Sequence, residues 1–135
     1  MKTISTLLLC ISALLGLATH SAYGLQYQIQ SMDAIMPPAG HPKDINDSGQ
    51  IVGYDMNAWP HNVDAFLSQE GSAVQYMGNL GGKSQAYGVN NNGQAVGTSY
   101  LGGFFSNQRA FLWQPGSSMR DLGTLGGLDS IAYGI

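Results

Sequence analysis

The sequence repeats itself with a period of about 45 residues. Three strings recur: NDSGQIVG at 46–53 as NNNGQAVG at 90–97, DAFL at 64–67 as RAFL at 109–112, and GNLGG at 78–82 as GTLGG at 123–127. Self-similarity of this length is typical of tandem architectures, in which each period folds into one supersecondary module. The repeat therefore constrains the architecture strongly and the chemistry very little.

The amino terminus predicts a cleaved signal peptide over residues 1–24. Lys2 supplies the positive charge, residues 4–18 form an apolar core, and AYG at 22–24 has small residues at both key positions of a cleavage site. The core is shorter than the ~20 apolar residues of a membrane-spanning helix. We therefore expect export, to the periplasm or outside the cell, and no membrane span after cleavage.

Composition argues against several classes of partner. The single cysteine, Cys10, lies within the signal peptide, so the mature chain must rely on packing and strand pairing for its stability. Loss of Lys2 moves the formal net charge from −3 to −4, and no basic run follows, so we expect no nucleic-acid partner. The glycine pairs at 81–82 and 126–127 lack the lysine and strand-to-helix context of a phosphate loop, and no cofactor is predicted.

Residues 25–43 are interpreted as a lead-in strand and a proline-rich linker. Leu25, Tyr27 and Ile29 alternate with glutamines, which is the pattern of a half-buried strand. The string PPAGHP at 37–42 then interrupts regular structure.

Each repeat predicts four short strands. The second copy favours strands at residues 85–89, 94–99, 109–114 and 119–122, separated by turns rich in Asn, Gly, Ser and Pro. No window shows a sustained helical period. The predicted fold class is therefore all-β, with tandem four-stranded antiparallel repeats.

The third strand of the second copy is apolar on both faces. Phe111 and Trp113 alternate with Ala110 and Leu112, so we expect the sheet to be covered on both sides. Face-to-face stacking of four-stranded sheets is typical of propeller blades. We favour blades over a β-solenoid, whose rungs are usually shorter than this repeat.

The repeat region, residues 44–135, holds about two repeats and the start of a third, because YGV at 87–89 recurs as YGI at 133–135. Two and a half blades do not close a ring of ~4 to 8 blades. The prediction is an incomplete propeller-like array, with three explanations left open. The chain is a piece of a longer one, which is favoured, or it self-associates through the open blade edge, or it is an open β structure.

Three strings together resemble the bacterial extracellular HAF repeat: INDSGQIVG at 45–53, RAFLW at 109–113 and DLGTLGG at 121–127. The resemblance covers nearly all of residues 44–135 and implies secretion and a repeated β fold, with no established reaction. The family is named for a His-Ala-Phe triplet, and this chain has Asp64 and Arg109 at the histidine positions. No role for that histidine is carried over.

A calcium loop and a hairpin turn compete for the segment that begins at Asp44. Asp44, Asn46, Ser48, Gly49 and Asp55 match loop positions 1, 3, 5, 6 and 12 of an EF-hand-type site. The second copy lacks both acidic ends, and the residues after Gly49 alternate like a strand. A hairpin turn is favoured, and no metal site is predicted.

No catalytic constellation is recognised. His41 and His61 are interpreted as surface loop histidines without a function. Six acidic residues offer pairs for glycoside chemistry, which needs two carboxylates at a defined separation, but solubility and turn formation explain them more simply. They are Asp33, Asp47, Asp64, Glu70, Asp121 and Asp129.

Aromatic residues in or beside loops give the best candidates for a binding site: Tyr54, Trp59, Tyr76, Tyr100, Phe104 and Phe105. Exposed rings stack on sugars or anchor a protein partner. We select Trp59, together with Phe104 and Phe105 in the loop over residues 101–108, as the predicted binding residues. Phe66, Phe111 and Trp113 are assigned to the core instead.

The function predicted from these features is a secreted, non-catalytic β-repeat scaffold or binding module whose partner is a surface glycan or a protein. The alternative is a fragment of a secreted propeller-type hydrolase or lyase that acts on polysaccharide.

Overall fold

The computed structural model describes residues 35–57, 63–102 and 106–135. All regular structure within these ranges is β-strand, and none of it is helical. The predicted signal peptide and the strand expected over residues 25–30 lie outside the described residues. The described residues belong to one structural unit, residues 31–135.

Eight strands form two four-stranded antiparallel sheets, each with its strands in chain order. The strands are β1 Gly40–Ile45, β2 Ile51–Asp55, β3 Asp64–Ser68, β4 Gln75–Tyr76, β5 Ser84–Val89, β6 Ala95–Tyr100, β7 Gln108–Trp113 and β8 Arg120–Asp121. We call β1–β4 the first module and β5–β8 the second, each with the loop that follows its last strand. The prediction of four strands per repeat is confirmed, and each strand end in the second module lies within one residue of its predicted position.

The first hairpin of each module turns on an asparagine. Asn46 Oδ1 accepts the amide protons of Ser48 and Gln50 at 3.1 and 2.9 Å, and Gly49 takes a φ of 73°. Asn90 Oδ1 makes the same two bonds with the amides of Asn92 and Gln94. This side-chain turn is the reason that the motif recurs, because asparagine can satisfy the turn amides and glycine can adopt the left-handed backbone.

The two sheets pack face to face through a hydrophobic cluster. The first module contributes Val52, Ala65, Leu67 and Met77, and the second contributes Ala86, Val89, Ala95, Phe111 and Trp113. Alternation along β7 places Ala110 and Leu112 on the opposite face, where Ala110 is buried and Leu112 is half-buried. The expectation of a strand with two apolar faces is confirmed, but only the face of the inter-sheet cluster is covered by another sheet, and Leu112 on the opposite face stays partly exposed. Neither sheet closes into a barrel. The arrangement is an open, propeller-like array.

Both faces of the first sheet are covered. Phe66 points away from the inter-sheet cluster and is fully buried, as is Ser68, whose hydroxyl donates to the carbonyl of Ile35. Phe66, Phe111 and Trp113 are therefore core residues, as predicted.

β1 begins at Gly40, within the segment assigned from sequence to the lead-in and linker. Pro42 lies in this strand although proline usually ends regular structure. β1 is the edge strand of its sheet, and proline is tolerated at an edge because no further strand needs its missing amide.

Residues 130–135 lie against the second module as β5 lies against the first. The Ser130 amide donates to the carbonyl of Gln108 at 3.0 Å, and the Ser84 amide donates to the carbonyl of Val63, its counterpart one repeat earlier, at 3.1 Å. The start of the third repeat thus packs on the second module at the position that β5 has on the first module. In the part of the chain that the structure describes, no helix is long and apolar enough to cross a membrane.

Candidate binding surface on the first strands

The first strand of each module carries a bulge at the same position of the repeat. The register of β1 with β2 shifts between Pro42 and Asp44, and that of β5 with β6 shifts between Ala86 and Gly88. Lys43 and Tyr87 are the extra residues. A bulge takes its residue out of the ladder and redirects its side chain, so these two side chains are free to serve a surface.

A glycine opposite each bulge permits the close approach of the two strands. A Cβ atom at Gly53 would lie 2.1 Å from the carbonyl oxygen of His41, and one at Gly97 would lie 2.0 Å from that of Gln85. Real Cβ atoms do not approach backbone oxygen that closely. Each hairpin with its bulge therefore requires glycine in the second strand.

Tyr133 occupies the bulge position of the third repeat, and its ring stacks on that of Tyr87. The two ring centroids are 5.3 Å apart and the planes differ by 27°. The Tyr87 hydroxyl donates to Gln85 Oε1 at 2.6 Å, while the Tyr133 side chain is 71% exposed. Consecutive repeats therefore bring their bulge side chains together on one surface.

Three other tyrosines are grouped around Tyr87. Burial of the ring raises the pKa of Tyr87 most, followed by the nearby phenol groups of Tyr133, Tyr100 and Tyr54. An effect of these groups on Tyr87 requires them to lie within electrostatic range of its hydroxyl.

A second stacked pair lies beside this group. The rings of His41 and Tyr54 have centroids 4.9 Å apart and planes that differ by 21°. Lys43 Nζ lies 5.4 Å from the centroid of the Tyr54 ring, within the range of a cation–π contact. We call the set His41, Lys43, Tyr54, Tyr87, Tyr100 and Tyr133 the tyrosine surface.

The tyrosine surface has the chemistry of a recognition site. Its rings offer flat apolar faces, and the phenol, imidazole and ammonium groups at their edges donate or accept hydrogen bonds. Two stacked pairs hold four of the rings in fixed orientations, which reduces the entropy lost when a ligand binds. Its charged member, Lys43, is exposed.

The aromatic residues selected from the sequence lie in three different places. Trp59, Phe104 and Phe105 lie outside the described residues, and so does His61. Tyr54 and Tyr100 belong to the tyrosine surface and lie at the ends of β2 and β6, beside loops as expected. Tyr76 lies in β4 on the opposite face of the first sheet, because its register partner is Phe66.

Sequence reasoning missed four members of the surface. His41 was expected in a surface loop, and this is wrong: it lies in β1 and stacks on Tyr54. Lys43 was not selected as a binding residue. Neither were Tyr87 and Tyr133. Their signal is the recurrence of the Tyr-Gly pair, which marks the bulge, but a strand pattern alone does not reveal where a bulge lies.

A buried pair of carboxylates lies on the other face of the first sheet. Asp55 and Asp64 are register partners on β2 and β3, and their side chains are only 3% and 6% exposed. Asp55 accepts hydrogen bonds from the Tyr76 hydroxyl at 2.7 Å and the Asn57 amide at 2.9 Å, and Asp64 accepts one from Asn79 Nδ2 at 3.2 Å. The interpretation of Asp64 as a solubility or turn residue is therefore wrong.

The environment of this pair changes the titration of Tyr76. Burial, then the hydrogen bond to Asp55 and the charges of Asp55 and Asp64, raise the pKa of Tyr76 to about 12. The second module places Arg109 and Asp121 at the positions of Asp64 and Tyr76, as an ion pair with 4.0 Å between Nε and Oδ2. The carboxylate pair is thus a feature of the first module and is not repeated in the second.

The hairpin interpretation of the Asp44 segment is confirmed. Asp44 faces Val52 across the ladder, whereas Asp55 lies at the far end of β2 beside Gly40, about 10 Å away at the rise of a strand. Asp44 instead accepts the amide protons of Ile45 and Val89, both at 2.9 Å. Among the described residues, no three His, Cys, Asp or Glu side chains are grouped closely enough to hold a metal ion.

Among the described residues, two grooves bear on the choice of site. One of about 280 Å³ is lined by Lys43 and Asp44 and adjoins the tyrosine surface. The other, of about 330 Å³, runs beside the β7–β8 hairpin between Trp113 and Arg120 and holds no tyrosine. The larger of these two grooves therefore lies away from the tyrosine surface. The tyrosine surface is the better candidate for recognition because stacking fixes the orientation of its rings.

Comparisons of the chain with protein-family models, with curated proteins and with solved structures each found no match. The resemblance to the HAF repeat stays a prediction.

Proposed function

We propose that this chain is an exported, non-catalytic β-repeat module that binds a surface glycan through the tyrosine surface. The observation that supports this most directly is the stacking of Tyr87 on Tyr133 at the bulge position of successive repeats. Neither ring belongs to the hydrophobic cluster, so packing of the core does not account for tyrosine at these positions.

A glycan fits the chemistry of this surface. Pyranose rings present flat faces of C–H groups that pack on aromatic rings, and their hydroxyls pair with phenol, imidazole and amide groups. Gln85 and Tyr87, joined by their hydrogen bond, offer such a polar edge. Lys43 adds one positive charge, which favours a glycan that carries carboxylate or sulfate groups.

The alternative function, a secreted hydrolase or lyase acting on polysaccharide, requires acidic groups that flank an accessible cleft. In the described ranges the close carboxylate pair is that of Asp55 and Asp64, which is buried, hydrogen-bonded and on the sheet face opposite Tyr54. No observation on the described residues favours catalysis over binding. Export itself is proposed from the amino-terminal sequence alone.

Glycan-array binding of the purified, fluorescently labelled chain tests the proposal. We expect binding to a subset of glycans, and about tenfold weaker binding, equivalent to ~1.4 kcal/mol, for Tyr133→Ala, because that ring is exposed and supports no core packing. Tyr87→Phe, which keeps the ring and removes the hydroxyl, separates stacking from hydrogen bonding.

Met56→Ala is the matched control, since Met56 is an exposed apolar residue outside the tyrosine surface. Binding that is equal in the native chain and in Tyr133→Ala, or no binding to any glycan, contradicts the proposal. Capture of proteins in place of glycans would support the protein-partner version of the sequence prediction instead.

A further inference from the structure

The loop after β4 shows how one module docks on the next. Met77, at its start, is only 4% exposed. The amide of Leu80 donates to the hydroxyl oxygen of Ser99, at the end of β6 in the second module, at 2.8 Å. The loop therefore closes the first module by contacting the second.

A glycine pair in this loop is required by that contact. A Cβ atom at Gly82 would lie 2.3 Å from the carbonyl oxygen of Gly102, and one at Gly81 would lie 2.6 Å from that of Leu101. The backbone of the second module leaves no room for a side chain. Glycine at these positions is thus explained by the neighbouring module, in addition to the positive φ of Gly81.

The corresponding loop after β8 keeps the same residues without the neighbour. Leu122, which corresponds to Met77, is 46% exposed, and Leu125, which corresponds to Leu80, is fully exposed. A Cβ atom at Gly126 would meet no atom within 4 Å, and one at Gly127 would come no closer than 3.6 Å to the backbone of Asp129. Nothing in the described structure explains the leucine or the second glycine here.

We infer that this loop, with the adjoining face of the second sheet, is a docking face for another four-stranded module of the same repeat. Leu112 on that face corresponds to Leu67, which the second module covers in the first. Residues 130–135 already occupy the place of β5. The incoming module supplies a hydroxyl oxygen for the Leu125 amide and backbone carbonyls over the Gly126–Gly127 pair. The inference is independent of glycan binding.

The test appends a second copy of residues 90–135 after Ile135, so that residues 130–135 become the first strand of a third module. Hydrogen exchange measured by NMR in the native and extended chains reports on the Leu125 amide. We expect fast exchange of this amide in the native chain and protection of at least about tenfold in the extended chain, comparable with the protection of the Leu80 amide in both.

Gly127→Ala provides the decisive comparison, because Gly127 has an ordinary φ and a Cβ there would make only an ordinary contact, 3.6 Å from the carbonyl oxygen of Asp129, in the native chain. We expect the substitution to leave the urea midpoint of the native chain unchanged and to lower that of the extended chain. Gly82→Ala is the matched positive control and lowers both midpoints.

Two results would overturn the inference. One is an extended chain in which the Leu125 amide exchanges as fast as in the native chain. The other is a Gly127→Ala substitution that changes the urea midpoints of the two chains equally.

Discussion

The hydroxyl oxygen of Ser84 accepts the backbone amide proton of Ala65 at 2.8 Å, which joins the first strand of the second module to the third strand of the first. The same hydroxyl donates to the carbonyl of Gly78 at 2.6 Å. Ser130 repeats both bonds one module later, with the amide of Ala110 and the carbonyl of Gly123. A single serine per repeat thus satisfies two backbone groups at the junction between modules.

Ser84→Ala should destabilise the chain by ~1–3 kcal/mol, because the buried amide of Ala65 loses its partner and the carbonyl of Gly78 loses a hydrogen bond. Ser130→Ala should cost less, since Ser130 is only half-buried and water can replace the hydroxyl. Urea unfolding at equilibrium measures both values. Equal losses for the two variants would contradict the assignment of Ser84 as the buried junction.

Gly97→Ala should destabilise the chain by ~3 kcal/mol or more, because its Cβ would lie 2.0 Å from the carbonyl oxygen of Gln85 and the backbone of β5 would have to move. Gly134→Ala is the matched control, since a Cβ there meets nothing within 4 Å. Circular dichroism during thermal unfolding compares the two variants. A Gly97→Ala chain with the melting temperature of the native protein would refute the close β5–β6 approach.

Tyr76→Phe should remove a pH dependence of stability in the alkaline range. The pKa of Tyr76 is raised to about 12 in the folded chain, from a value of 10.0 without these interactions, so the folded state holds this proton more tightly than the unfolded state. The stabilisation is therefore complete below pH 10 and is lost as the pH rises towards 12. Its size is limited by solvent, because the side chain is about half exposed.

The measurement is the difference in unfolding free energy between the native chain and Tyr76→Phe, followed from pH 9 upward. We expect the difference to shrink between pH 10 and about 12. Contributions from groups that the substitution does not touch are the same in both proteins and cancel in the difference. A constant difference across this range would show that the pKa of Tyr76 is not raised in the folded chain.

Self-association through the docking face is the next expectation. Its exposed leucines, including Leu122, Leu125 and Leu128, form an apolar surface that a second copy can cover. Light scattering with mass measurement should give a mass above that of the monomer at high concentration, and Leu125→Asp should restore the monomer. A native chain that stays monomeric at every concentration would exclude this association. Docking of an appended module would then be decided by the hydrogen-exchange experiment on the extended chain.

The strands and turns were predictable because they depend on local chemistry. The four-residue turn over 46–49 needs a side-chain acceptor, Asn46, and a residue that adopts positive φ, Gly49. Both are visible in the sequence. Phe111 and Trp113 alternate with Ala110 and Leu112, and that pattern alone indicates a strand with two apolar faces. These features depend on residues that are close in sequence, and they recur in both repeats.

The binding surface was not predictable in the same way. Tyr87 looks like an ordinary strand residue until the register of β5 with β6 shows that it is the extra residue of a bulge. Asp64 resembles a surface acid until β2 places Asp55 beside it and Tyr76 and Asn79 supply partners. Such relationships depend on which residues face each other across strands, and sequence spacing does not specify them.

The bulge separates what holds the array together from what varies along it. Lys43 and Tyr87 differ in charge and shape, yet each occupies the same point of a hairpin set by an asparagine turn and by Gly53 or Gly97 in the second strand. A change of side chain at this point leaves the core untouched. Substitutions at the bulge can therefore change the binding surface of one repeat while the strands, turns and core of every repeat stay the same.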